Sequence, residues 1–384
     1  MSQPIYLDYM ATTPLDPEVL AAMLPYYTDI KLMANPGSLN HRLGQEAFRA
    51  LSSQRERCAA CINAQADELI FTAGATEANN IAIFGAAHFY ARQGKHVITA
   101  TTEHKAVLNV FAALEQQGFE VSYLTPAADG LIALDTIAQA LRPDTILCSL
   151  MQVNNEIGVI QDIPAIAALL KSKGVLLHVD GAQSFGPLGS DVRALGVDLM
   201  SFSAHKVYGP KGVGALYMRQ QPRIQLKPML FGGGQEKGLR PGTQALPLIV
   251  GMTYAFEKMN RLRTTEMQQL LAYRLELEAT LQAIEGIQFN GSFQQRVAQN
   301  LHFSVSGVDG SELLTALYPL MLSSQSACQA ALGGSSHVLK AIGLEDHLAR
   351  ASIRLSLGRM TTDQEIAETK AILQKEIPRL RKIY

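Results

Sequence analysis

The chain has 384 residues, 47% of them hydrophobic, and a formal net charge of -1, which suits one large α/β domain and a smaller second domain. Balanced charge without long basic runs excludes a strongly basic surface for nucleic acid or membranes. The opening residues have no basic region followed by an apolar one, and no apolar stretch approaches a membrane span, so we predict a cytoplasmic protein. Four cysteines without a secretory signal fit a reducing compartment.

Apolar, strand-like runs alternate with helix-like segments over the first 260 residues. In chain order these runs are ELIFTA, HVITATT, FEVSYL, TILCSLMQV, VLLHVD, DLMSFSA and VGALYM. The alternation predicts βαβ units, and hence an α/β fold with a mostly parallel mixed sheet flanked by helices. Ligands of such sheets collect in the loops beyond the carboxyl ends of the strands.

The pattern changes after about residue 260 to a long charged helix, followed by LHFSVSG and SIRLSLG. This change predicts a second, smaller α+β domain. We therefore expect a large domain over residues 15–260, and a small domain formed by residues 1–14 and 261–384.

Polar residues stand at the ends of several predicted strands. Asp180 ends VLLHVD, Lys206 follows DLMSFSAH, His104 follows HVITATTE, and Asn154 and Asn155 follow TILCSLMQV. An aspartate and a lysine so placed also fit a structural ion pair, which is the commoner arrangement for any single pair. The combination favours another interpretation, in which the lysine lies near other polar groups at one edge of the sheet.

Pyridoxal phosphate chemistry needs this set of groups together. A desolvated lysine with a lowered pKa can attach the cofactor covalently, and an aspartate keeps the pyridine nitrogen protonated so that the ring accepts electrons. The stretch GATEANN follows ELIFTA and places Thr76 where a helix begins, with free N–H groups for a phosphate. An ordinary N-capped helix start explains that stretch equally well on its own.

Nine segments of the chain resemble the NifS/IscS-type cysteine desulfurases, which are fold-type I pyridoxal phosphate enzymes of the class V aminotransferase type. They are LDYMATTPLDPEV, TAGATEANNIAI, TTEHKAVLN, MQVNNEIGVIQDI, HVDGAQSFG, SFSAHKVYGPKGVGALY, GGGQEKGLRPGT, LSSQSACQA and SIRLSLGR. The resemblance runs from about residue 5 to about residue 375. Its specificity comes from the number, length and order of the motifs.

The resemblance implies a role for each matching residue around the cofactor. Lys206 would carry pyridoxal phosphate, Asp180 would pair with the pyridine nitrogen, and Gln183 would contact the phenolic oxygen. His104 would lie over the cofactor ring and move protons.

The resemblance also implies a phosphate site, a substrate site and a homodimer. The phosphate would be held by Thr76, Ser203 and His205, with Thr243 reaching it from a second subunit, and Ala75 would also bind the cofactor. Asn155 and Arg354 would bind the substrate carboxylate, with help from Asn35. Arg354 suits this task because its planar fork matches a carboxylate with two hydrogen bonds.

Cys328 distinguishes this family from other enzymes of the fold. It stands in LMLSSQSACQAALGGSS, a run of small and polar residues that predicts an accessible loop. The resemblance implies that its thiolate takes the sulfur of L-cysteine as a persulfide, leaving alanine, and passes it to an acceptor protein, either an iron-sulfur scaffold or a sulfur carrier. Cys58, Cys61 and Cys148 are interpreted as packing residues, because no second cysteine pair completes a metal site.

Three departures from the family pattern keep alternatives open. Gln325 stands where the family has glycine, Gln235 stands where it has histidine, and the sequence lacks the longer tail of IscS-type members. The leading hypothesis is a competent desulfurase. The second is a weakly active sulfur-relay or regulatory binding protein of the same fold. The third is another pyridoxal phosphate enzyme, such as an aminotransferase or a selenocysteine lyase, which leaves the match around Cys328 unexplained.

Overall fold

A seven-stranded sheet forms the centre of the computed structural model, which describes residues 3–324 and 335–382. Its strands are β2 (Leu69–Thr72), β3 (His96–Ala100), β4 (Glu120–Leu124), β5 (Thr145–Met151), β6 (Leu176–Asp180), β7 (Leu199–Ser203) and β8 (Gly214–Met218). The spatial order is β2-β8-β7-β6-β5-β3-β4. All seven predicted strand-like runs are strands of this one sheet.

The sheet is mixed because β8 runs against its neighbours. It pairs antiparallel with both β2 and β7, whereas the pairs among β3, β4, β5, β6 and β7 are parallel. Gly214 at the start of β8 lies close to Gly74. A Cβ added to Gly214 would be 2.7 Å from the Cα of Gly74. A side chain there would clash, so glycine permits this close approach.

Helices cover both faces of the sheet, as the βαβ pattern predicts. In the first part of the chain they are α1 (Pro17–Met23), α2 (Pro25–Thr28), α3 (Arg42–Ala60), α4 (Ala75–Tyr90), α5 (Lys105–Glu115), α6 (Leu134–Ala140), α7 (Ile163–Ser172), α8 (Phe185–Leu188) and α9 (Val192–Leu195). Short 3₁₀ turns occupy Ala66–Glu68, Ala204–Lys206 and Gln235–Gly238. Side-chain caps begin several of these helices; the Asp191 carboxylate, for example, accepts from two N–H groups at the start of α9.

The rest of the described chain forms two small sheets with their own helices. Strands β9 (Ile287–Phe289), β10 (Asn300–Val305) and β12 (Ser352–Ser356) make an antiparallel sheet, and β1 (Ile5–Tyr6) pairs with β11 (Leu320–Met321). The helices are α10 (Leu246–Gln282), α11 (Gly310–Ala316), α12 (His337–Ala341), α13 (Asp346–Arg350) and α14 (Asp363–Arg381). A capping box formed by Thr362 and Glu365 starts α14.

Helix α10 continues through residue 260, where the domain boundary is predicted. Its first half, from Leu246 to Met259, packs in the hydrophobic core against the large sheet. Its second half, from Leu270 to Leu281, packs in another core with Ile5, Leu7 and the small sheets. These two cores support a division near the middle of α10, with the N-terminal segment joining the small domain, and the exact boundary stays a prediction.

Within residues 3–324 and 335–382, no helix is both long enough and apolar enough to cross a membrane.

Candidate active site

A cavity of about 700 Å³ opens at the carboxyl ends of the central strands. Asp180 is the last residue of β6, Ser203 is the last residue of β7, and the loops after β3 and β5 bring His104 and Asn155 to the same edge. The predicted site residues that line this cavity are Ala75, Thr76, His104, Asn155, Asp180, Gln183, Ser203, His205, Lys206 and Arg354. One space therefore contains the predicted cofactor groups other than Thr243, and two predicted substrate groups.

Two of the predicted residues that the structure describes, Asn35 and Thr243, do not line the cavity. Asn35 and Thr243 are exposed on this chain. Thr243 is predicted to serve a second subunit, and that role stays a prediction. Cys328 and Gln325 lie outside the described residues.

Lys206 occupies the short 3₁₀ turn that follows β7. Its Nζ donates hydrogen bonds to the carbonyl oxygens of Met10 and Ala11, the latter at 3.0 Å. Gln183 Nε2 donates to the same Met10 carbonyl at 2.8 Å. The N-terminal segment thus holds the lysine amine by backbone oxygens.

Asp180 is held rigidly by two donors. Asn79 Nδ2 donates to Asp180 Oδ2 at 2.8 Å, and the Ala182 N–H donates to Oδ1 at 2.9 Å. Both Asp180 and Asn79 are buried, and Asn79 Oδ1 has no partner. These two hydrogen bonds fix the orientation of the carboxylate, which lines the cavity.

His104 is poised as a neutral base or acid. The Ala106 N–H donates to its Nδ1 at 3.0 Å, so the neutral ring carries its proton on Nε2. Burial lowers the pKa of His104, and the charge of Lys206 lowers it further, whereas Asp180 opposes the shift. The ring is consequently neutral around pH 7 and can hold a proton at Nε2.

The start of α4 presents backbone N–H groups at one side of the cavity. The N-cap is Gly74 with φ +155°, a conformation open to glycine, and no side chain caps the helix. The first N–H groups of a helix lack acceptors within it, so those of Ala75 and Thr76 suit a phosphate. His205 shares this cavity, and burial lowers its pKa to about 4. A neutral imidazole can still donate one hydrogen bond to an anion.

Besides Asn79, the cavity residues Arg354 and Asn155 also have unpartnered polar atoms. Arg354 Nη1 donates to the Asn155 carbonyl at 2.7 Å, and Nη2 lies 2.6 Å from Asp8 Oδ1. Arg354 Nε and Asn155 Oδ1 are buried without a partner. Buried polar atoms are nearly always satisfied, so these two indicate a polar ligand. The Arg354 guanidinium, which is predicted to bind the substrate carboxylate, therefore already has the carboxylate of Asp8 as a partner.

Several groups of the site were not predicted from the sequence. The sequence does contain a signal for Asn79, because it lies three residues after Thr76 and therefore on the same face of α4. The carbonyls of Met10 and Ala11 carry no side-chain signal. Asp8 lies in the quoted LDYMATTP segment, but only the tertiary structure pairs it with Arg354.

The other three cysteines are poor nucleophiles. Cys58 and Cys148 are fully buried, and burial raises the pKa of each thiol well above its ordinary value. Cys61 lies just beyond the end of α3, and burial raises its pKa to about 12. A thiol with such a pKa is almost never a thiolate at pH 7.

Comparison with known proteins identifies the family of this chain. The family model for class-V aminotransferases matches residues 5–368. A match over that much of the chain shows that the protein belongs to the class-V aminotransferase family.

Its relatives define the branch of that family. The chain is 49% identical over 383 residues to the cysteine desulfurase IscS of Aeromonas hydrophila, covering 100% of this chain and 95% of the relative. It is 48% identical over 383 residues to the cysteine desulfurase IscS of Methylococcus capsulatus, with 100% and 94% covered. Within the class-V aminotransferases, the protein is thus a member of the NifS/IscS-type cysteine desulfurases.

Solved structures give the same result. A NifS-like protein superposes with a TM-score of 0.89 at 32% identity, and the alignment covers 99% of both chains. The structure of SspA in complex with cysteine superposes with a TM-score of 0.81 at 38% identity, covering 92% of this chain and 98% of that one. The predicted fold class and family are confirmed.

Proposed function

We propose that this chain removes the sulfur atom from L-cysteine with pyridoxal phosphate as its cofactor, and that alanine is the second product. The observation that carries the proposal is the single cavity shared by Lys206, Asp180 and His104, together with the unpartnered atoms of Asn155 and Arg354. A cavity of about 700 Å³ has room for the cofactor and a small amino acid.

The residues present fit pyridoxal phosphate. Lys206 would attach it, the oriented carboxylate of Asp180 would face the pyridine nitrogen, and Gln183 would contact the phenolic oxygen. The N-terminus of α4, with Ser203 and His205, would hold the phosphate. The bound cofactor supplies an electron-withdrawing ring, which weakens the bonds at the α-carbon of an attached amino acid.

Substrate orientation falls to groups on the other side of the site. Arg354 would donate to the substrate carboxylate, and the side chain of Asn155 would complete its contacts. His104 would hold or move a proton at Nε2, which its neutral state around pH 7 allows.

Cys328 would act as the nucleophile. Its thiolate would attack the substrate sulfur, so that an S–S bond forms while the Cβ–S bond breaks. The electron pair of the broken bond would stay with the substrate carbon, where an added proton gives alanine. The persulfide on Cys328 would then pass to an acceptor protein, either an iron-sulfur scaffold or a sulfur carrier.

A homodimer is part of the proposal, because Thr243 would complete the phosphate site of a second subunit. Asn35 and Thr243 are the two described site residues that do not line the cavity. Large apolar side chains are exposed in the segments that precede them, because Ile30 is 71% exposed and Phe231 is 89% exposed. Such side chains support a covering partner. The cytoplasmic location and the acceptor protein stay predictions from the sequence.

Product analysis tests the proposal. Cofactor-loaded protein would receive L-cysteine and dithiothreitol, and alanine and sulfide would be measured in parallel. The parent should release both, and Cys328→Ser should release neither while keeping its cofactor absorbance. Cys61→Ser is the matched control and should behave as the parent, because the pKa of that thiol is about 12. Equal sulfide release by Cys328→Ser and the parent would contradict the proposed nucleophile.

A substrate panel distinguishes the remaining alternatives. Alanine, selenocysteine and cysteine would be compared on the same protein. Preference for selenocysteine, or amino transfer from alanine, would replace the desulfurase function with that of another pyridoxal phosphate enzyme.

A further inference from the structure

We propose that Asp8 sets the affinity of the site for the carboxylate of its amino-acid ligands by sharing the charge of Arg354. The inference rests on the proposed function, in which Arg354 receives that carboxylate. The Asp8 Oδ1 and Arg354 Nη2 atoms are 2.6 Å apart, and the Arg354 side chain is only 2% exposed. A ligand therefore meets a guanidinium that already has an anionic partner.

Backbone hydrogen bonds hold this ion pair in place. The Ser356 N–H donates to the Leu7 carbonyl at 2.8 Å, and the Tyr9 N–H donates to the Ser356 carbonyl at 3.3 Å. Ser356 is two residues beyond Arg354 on β12. The segment that carries Asp8 is thus fixed along the strand that carries Arg354, unlike an exposed ion pair between two flexible side chains.

The guanidinium keeps donors free for a ligand. Of its five N–H groups, one on Nη2 serves Asp8, one on Nη1 serves the Asn155 carbonyl, and Nε has no partner. Arg354 lines the cavity, whereas Asp8 does not. Asp8 and a ligand carboxylate therefore occupy different donors of one cation at the same time.

Two carboxylates around one buried cation repel each other. With an effective dielectric constant near 20, a second carboxylate within about 10 Å of Asp8 loses affinity by about tenfold or more. The product alanine carries the same carboxylate as cysteine, so the repulsion from Asp8 weakens the binding of both. Asp8 thereby weakens retention of the product.

Asp8→Asn in the cofactor-loaded protein separates charge from geometry. The amide oxygen of asparagine still accepts from Nη2, but the negative charge is gone. L-alanine, which has no sulfur to lose, would be titrated by calorimetry, and its Kd should fall by about tenfold or more. Asp8→Glu keeps the charge and should stay within about threefold of the parent. Cysteamine, which has no carboxylate, should bind the parent and all variants alike.

A purely structural role of Asp8 predicts that Asp8→Asn does not tighten alanine binding. If Asp8 only orients Arg354, Asp8→Asn would bind alanine as the parent does or more weakly, and either result overturns the inference. Asp8→Ser provides the same comparison should Asp8→Asn not fold. A parent that releases sulfide from cysteine alongside an unchanged Asp8→Asn affinity refutes this inference alone. A parent that neither releases sulfide nor binds alanine refutes the proposed function as well.

Discussion

Acid should destabilise this protein through histidines buried without charge, and His178 offers the clearest test. It lies in the centre of the large sheet, fully buried, with Ser149 Oγ at 2.8 Å and Ser201 Oγ at 3.0 Å from its two ring nitrogens. Burial lowers the pKa of His178 from 6.5 to about 3. Neither hydroxyl compensates a positive charge, so the folded chain keeps the ring neutral.

The magnitude follows from the two pKa values. Because the folded pKa lies below the unfolded one, the unfolded chain binds the proton first, and stability present above pH 6.5 is lost as the pH falls toward 3. Between pH 7 and pH 5 this single group should lower the free energy of unfolding by about 2 kcal/mol. His302 has a pKa of about 3 for the same reason and should add a similar loss.

Urea unfolding at pH 7 and pH 5 measures the effect. His178→Gln replaces the ring with an amide that does not titrate and can still bond to the serine hydroxyls. The variant should lose about 2 kcal/mol less than the parent between the two pH values, whatever its stability at pH 7. His347→Gln is the control, because the His347 side chain is 65% exposed and its variant should follow the parent. Equal losses in the parent and His178→Gln would refute the reasoning.

Three further predictions concern other buried polar groups. Burial raises the pKa of Glu103 well above its ordinary value, which favours the neutral carboxyl. Glu103→Gln should therefore shift the urea midpoint little, whereas Glu103→Ala should lower the free energy of unfolding by about 2–3 kcal/mol, and equal losses would contradict a neutral acid. Arg55→Met should cost about 3–5 kcal/mol in urea unfolding, because the Glu236 side chain is 1% exposed and would lose its ion-pair partner; a loss near zero would contradict this. Asn79→Ala removes a donor to Asp180 and should raise the Kd for pyridoxal phosphate about tenfold, measured by absorbance of the bound cofactor; unchanged affinity would mean that Asp180 needs no such orientation.

The sequence by itself determined the elements and the placement of the polar residues along them. Runs such as VLLHVD and DLMSFSA are strands because short apolar stretches bounded by turn residues have few other buried conformations. Asp180 and Lys206 stand at strand ends in the chain, and the carboxyl ends of parallel strands meet at one edge. Ten of the residues that line the cavity could therefore be predicted from local patterns and the family motifs.

Only the tertiary structure decided which groups touch. Asp8 and Arg354 are 346 residues apart, and Lys206 and Met10 are 196 apart. No periodicity or propensity encodes such pairs, because they depend on how separate elements pack. The reversed direction of β8 is decided in the same way, since an apolar run reads alike in both directions. Hydrophobic patterns are local, so they can be read from the sequence. The partners of buried charges depend on which elements pack together in the folded core.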